Sequence, residues 1–126
     1  VEVDKALDAA GLKNQHVREF VKQWAAHTGA SSIEVVSAAD DDRLLQEALQ
    51  AGEIEPAGEG LYYSRSYFKD TARSEERTFV ATAKPEDKGV YNNWRPSSEL
   101  KPKVEGLMKG ASAGKTMYVV PSGSTL

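Results

Sequence analysis

Residues 14–29, NQHVREFVKQWAAHTG, are the stretch from which the fold can be read. Val17, Phe20, Val21, Trp24 and Ala25 recur at i, i+3, i+4, i+7 and i+8, the spacing of one helix face. Asn14 stands where an N-cap belongs, and Gly29 sits just past the last turn, where a left-handed residue closes a helix. Ahead of this helix, Val3–Ala10 is weakly helical, with Leu7 its only large residue before Gly11. Behind it, Ile33–Val36 is a short β-branched run. Asp40–Asp42 then place acids at the start of a second helix, where the dipole favours them. Leu44, Leu45, Ala48 and Leu49 form that helix's apolar stripe and Gly52 ends it.

Further on, Pro56, Gly58 and Gly60 mark a loop, and Leu61–Ser66 and Thr78–Ala83 read as strands. Residues 85–89 are turn-like and lead into Val90–Trp94. After Pro96, Ser97 or Ser98 is expected to cap a third helix with Leu100, Val104, Leu107 and Met108 on one face. Proline is tolerated in a first turn, so Pro102 places the start of that helix near Lys101. Met117–Val120 is a last apolar strand. The interleaving predicts an α/β (mixed α+β) fold, with a small mixed sheet flanked by about three amphipathic helices. Residues 1–121 are read as a single domain and 122–126 as a linker-like tail. The expected core is Val17, Phe20, Val21, Trp24, Leu45, Leu49, Val104 and Leu107.

At 126 residues, with 40% apolar and 28% charged residues, the chain fits one globular domain rather than a disordered segment. It lacks cysteine, which removes disulfide and thiolate chemistry and suits the cytoplasm. A net charge of −3, with 16 basic residues interspersed among acids, gives no footprint for nucleic acid. No apolar run is long enough to cross a bilayer, so no membrane partner is expected either.

The run KGASAGKTMYVVP, residues 109–121, tempts a phosphate-loop reading and fails it. Lys109 stands where the first glycine is needed, and a helix precedes and a strand follows, the reverse of a phosphate loop. A flexible helix-to-strand turn is the expectation there. His16 and His27 have no partner at metal-ligand spacing and read as surface residues. Trp24 reads as core, while Trp94 follows two asparagines and can anchor a packed loop. In YSRSYFKDTARSEERTF, residues 63–79, Arg73 sits among acids beside the small Ala72. A guanidinium fork suits a carboxylate or phosphate bidentately. Spacing alone leaves two readings open, a surface salt-bridge cluster, which it favours, and a binding arginine.

Three ordered segments resemble the N-terminal domain of GTP-dependent phosphoenolpyruvate carboxykinase. They are YYSRSYFKDTARSEERTFVAT (62–82), YNNW (91–94) followed by a proline-containing helix, and GKTMYVVP (114–121). RLLQEALQAGEIEP (43–56) is compatible with the family's preceding helix, so the resemblance covers roughly residues 40–121. The family interconverts oxaloacetate and phosphoenolpyruvate, releasing or fixing carbon dioxide, with GTP or GDP and divalent metal, usually manganese; relatives use pyrophosphate. Its Asp-Val-Ala-Arg-Val-Glu segment falls on residues 70–75. The resemblance therefore implies that Arg73 binds a substrate carboxylate, that Glu75 supports the substrate-bound closed state, and that Asp70 and Arg77 brace the loop.

Thr71 and Ser74 stand where the family usually has valines, and residues 111–113 read Ala-Ser-Ala where it often has cysteine and methionine. The ending SGSTL is expected to be that of an excised domain, because the family continues into its nucleotide and metal regions. On that reading GTP and manganese belong to the full-length family, not to this chain. Its partners are a weakly bound oxaloacetate or phosphoenolpyruvate and a C-terminal nucleotide-binding domain. The alternative is a free-standing α/β binding or interaction module that kept the fold without the chemistry. The two valine changes favour that alternative; Arg73 and Glu75 favour the first reading.

Overall fold

The computed structural model describes residues 2–67, 77–91 and 93–122. Its first two helices are α1 (Val3–Ala9) and α2 (Gln15–Thr28). Asn14 caps α2 as its position predicts: its side-chain oxygen accepts from the N–H groups of His16 (3.0 Å) and Val17 (3.3 Å). At the other end Gly29 adopts φ 68°, and its N–H returns to the Ala25 carbonyl. That conformation costs any residue with a Cβ. It turns the chain directly into strand β1 (Ser32–Val35).

After β1 come α3 (Asp41–Gln50), β2 (Glu55–Gly58), β3 (Leu61–Tyr63), β4 (Val80–Thr82), β5 (Trp94–Pro96), α4 (Ser97–Met108) and β6 (Thr116–Val119). The architecture is mixed α/β, as the sequence predicts. In place of one small mixed sheet, the described residues form three two-stranded ribbons. β1 pairs with β6 and β4 with β5, both parallel, and β2 pairs with β3 antiparallel. The chain divides into two units, Val1–Val36 with Glu75–Leu126, and Ser37–Ser74.

In the first unit, α1 packs on α2 and β1, and α4 packs on β4 and β5. The core is made of Leu7, Val21, Ala25, Ala30 and Val36 with Thr28, and Leu7 is wholly buried. This corrects the expected core: Val21 is buried, but Phe20 is 61% exposed and Leu107 74% exposed. Val17 and Val104 are exposed as well, and Trp24 is half-buried. Periodicity identifies a helix's apolar face, but the short α1 supplies the cover and reaches only part of the α2 face.

Arg18 fastens α1 to α2. Its guanidinium, only 15% exposed, donates to the Leu12 carbonyl (2.8 Å) and lies 3.0 and 2.9 Å from the carboxylates of Asp4 and Asp8. Lys22 reaches the same Asp4 oxygen at 2.7 Å. The hydrogen bond from Lys22 holds the Asp4 carboxyl below its ordinary range; desolvation opposes it, and Arg18 adds to the lowering.

In the second unit, α3 keeps its predicted stripe half-buried, with Leu44, Leu45, Ala48 and Leu49 intermediate. Its start is set by Ser37 and Asp40, whose carboxylate accepts from the Ser37 N–H at 2.8 Å. Where Pro56, Gly58 and Gly60 predict a loop, the chain forms a hairpin, with a register shift between Pro56 and Gly58. Proline is compatible with a ribbon that has open edges. A second correction concerns α4, which begins at Ser97 with Pro96 at the N-cap position, so Pro102 lies inside it. Proline there deprives the Ser98 carbonyl of its helical partner. Ser98 is exposed, so water can take that place.

Replacing Leu7 by alanine should cost about 2–5 kcal/mol in urea unfolding, and replacing Phe20 less than about 1 kcal/mol. Equal costs would contradict this division between core and surface.

Candidate functional site

Arg73 and Glu75, the substrate-binding residues that the resemblance implies, lie with Asp70 and the rest of residues 68–76 outside the described residues. What the structure gives is the chain on either side of them, each side within its own unit.

On the upstream side, Glu55 and Tyr63 face each other across the β2–β3 ribbon. The Tyr63 hydroxyl donates to the Glu55 carboxylate. The Arg65 guanidinium lies 5.7 Å from the Tyr63 ring centroid, within cation–π range. The hydrogen bond to Glu55 favours the neutral phenol and pushes the Tyr63 pKa up from its ordinary value. Leu61 in the ribbon and Tyr67 beyond it are exposed. The hairpin went unseen in the sequence because glycine and proline mask β2. The acid–tyrosine pair flanking the Gly58–Gly60 turn was its available signal.

On the downstream side, Arg77 is exposed and the chain enters β4. Asn93 donates its side-chain amide to the Thr78 carbonyl at 3.1 Å, and the Val80 N–H donates to the Asn93 carbonyl at 3.0 Å. Trp94 donates its indole N–H to the Thr82 hydroxyl at 2.7 Å, and that hydroxyl donates to the Lys84 carbonyl at 2.6 Å. Trp94 therefore holds a strand, where a packed loop was expected. Arg95 lies 5.7 Å from the Phe79 ring centroid and 3.8 Å from Glu99. Strand β4 and the end of the YNNW motif, Asn93 and Trp94, are thus joined in one hydrogen-bonded ribbon. Two segments singled out separately in the sequence meet there.

The third segment, GKTMYVVP, forms the end of a turn and β6. The turn is pinned where flexibility was expected: Gly110 N–H donates to the His27 carbonyl (3.0 Å) and Ser112 N–H to the Thr28 carbonyl (2.9 Å). His27, expected at the surface, is half-buried with Nε2 2.6 Å from the Glu105 carbonyl, so that nitrogen carries the proton. Its ring also meets Trp24 edge-on at 5.4 Å. His16 is exposed, as expected. Among the described residues no three His, Cys, Asp or Glu side chains converge as a metal-binding group. No helix among them is long and apolar enough to cross a membrane.

Residues 19–123 match the family described as the phosphoenolpyruvate carboxykinase N-terminal domain. The chain belongs to that family. It is 37% identical over 121 residues to the phosphoenolpyruvate carboxykinase (GTP) of Renibacterium salmoninarum, an alignment covering 91% of this chain and 20% of that protein. The like-named protein of Corynebacterium glutamicum strain R is 38% identical over 89 residues, 68% of this chain and 15% of its own. That of Neocallimastix frontalis is 48% identical over 60 residues, 48% of this chain and 10% of its own. The chain thus spans about a fifth or less of the carboxykinases it matches.

The Glu55–Tyr63 bond gives a pH-dependent signature. Its stabilisation is fully present below the ordinary tyrosine range near pH 10 and is lost as pH rises through the raised value. Ultraviolet titration should show Tyr63 ionising later in the wild type than in Glu55→Gln. An unchanged titration curve in the variant would remove the bond.

Proposed function

We propose that this chain is the substrate-side N-terminal domain of a phosphoenolpyruvate carboxykinase, the enzyme that converts oxaloacetate and GTP to phosphoenolpyruvate, carbon dioxide and GDP. In this reading the Arg73 guanidinium grips a substrate carboxylate through paired N–H donors. Glu75 steadies the closed, substrate-bound arrangement. The observation that carries the reading is the family match over residues 19–123, which encloses the Asp70–Glu75 segment.

The described residues do not fit a manganese site. Phosphoryl transfer needs cations to neutralise the charge that develops on the transferred group. In this reading GTP and manganese enter with the remainder of a carboxykinase, and this chain supplies orientation and charge on the oxaloacetate side. Alone it should form no phosphoenolpyruvate from oxaloacetate, GTP and manganese.

A single guanidinium–carboxylate contact in water is weak, so oxalate should bind the chain at about millimolar affinity, near 4 kcal/mol. Added salt should weaken it further. In an NMR titration, oxalate should shift resonances from Asp70 to Arg77 in the wild type and leave Arg73→Gln unaffected. Identical shifts in both proteins would assign Arg73 to a surface salt-bridge cluster.

A further inference from the structure

Val36 is buried and its N–H donates to the Val119 carbonyl at 3.0 Å, so the core of the first unit reaches just past β1. From Ser37 onward the character of the chain changes: none of the described residues 37–67 is buried. The apolar stripe of α3 is half-buried, both strands of the β2–β3 ribbon are exposed, and Leu61 is 63% exposed. The bonds that shape this stretch are short-range. Asp40 accepts from the Ser37 N–H, and Arg43 lies 3.3 Å from Asp40 and 2.8 Å from Glu47. Gly52 and Glu53 return their N–H groups to the carbonyls of Leu49 (3.2 Å) and Ala48 (3.0 Å), which closes α3 locally. Tyr63 donates to Glu55 across the ribbon.

Such bonds set a local shape but hold it weakly. A helix needs about 12–15 residues to be stable alone in water, and α3 has 10. A two-stranded hairpin is marginal without a core to pack on. Ion pairs three and four residues apart on a helix surface add little to either. Segments with few buried apolar contacts open at a lower free energy than the core of the same protein. We infer that α3 and the β2–β3 ribbon form an order–disorder unit, which opens and recloses while the core around Leu7 stays folded. A ligand that takes only the closed form holds it closed by mass action, so binding can be read out as order in this part of the chain. Whether Arg73 holds oxalate does not bear on it.

Hydrogen exchange of the full chain under native conditions is the test. Amides in α3 and in the ribbon should be protected, yet exchange at least tenfold faster than those of Val21 and Ala25. Gln46→Gly, at an exposed position inside α3, should speed exchange in α3 at least threefold further and leave Val21 and Ala25 within twofold of the wild type. Exchange of α3 and the ribbon at the rate of Val21 and Ala25 in the wild type would overturn the assignment, because both would then open only with the core. Acceleration of Val21 and Ala25 in step with α3 by Gln46→Gly would overturn it too. So would a complete lack of protection in α3, since a unit that never closes cannot open.

Discussion

The last carbonyls of α2 are orphaned by the helix itself, and their capture by a turn far along the chain is the constraint on which the first unit depends. Gly110 and Ser112 bring their N–H groups to His27 and Thr28, and Ser31 N–H then donates to the Lys115 carbonyl at 2.9 Å. The end of one helix and the start of two strands are thereby fixed together. A buried backbone group without a partner costs about 1–3 kcal/mol, so this arrangement has few substitutes. Gly29 makes it possible through its backbone, because φ 68° is a left-handed conformation that residues with a Cβ rarely adopt. Once the turn is seated, β6 has no choice but to run beside β1 in parallel, and His27 ties the last turn of α4 into the same junction through Glu105.

The opposite end of α2 is held by charge rather than by backbone. Arg18 satisfies the Leu12 carbonyl and two carboxylates of α1, which presses Leu7 into the core. Both ends of α2 are therefore anchored while the outward side near Val17 and Phe20 is left bare. In a chain this short, a fully covered apolar face is hard to achieve, because the buried fraction falls with size.

The sequence made some of this legible and concealed the rest for identifiable reasons. α2 was readable to the residue at both caps, because Asn14 and Gly29 act locally. α3 was readable for the same kind of reason. The burial of Phe20 and Leu107 was misjudged because a periodic stripe names a face and not what covers it. β2 was hidden by proline and glycine, whose preference for turns was outweighed by pairing with Tyr62 and Tyr63. Pro102 misplaced the start of α4, since its local penalty is borne on an exposed side. The tethering of the 110–115 turn depends on contacts about 80 residues apart in sequence, which no local pattern encodes. Arg73 is different again: its charge pattern leaves two readings open, and it lies outside the described residues.

The junction at the end of α2 is the claim most open to direct test, by native-state amide exchange at Gly110 and Ser112. If these N–H groups are the caps of α2, they should exchange as slowly as the core amides of Val21 and Ala25, opening only with the unit as a whole. Exchange at the rate of an unstructured turn, with Val21 and Ala25 still protected, would contradict the dependence of the β1–β6 pairing on that capture.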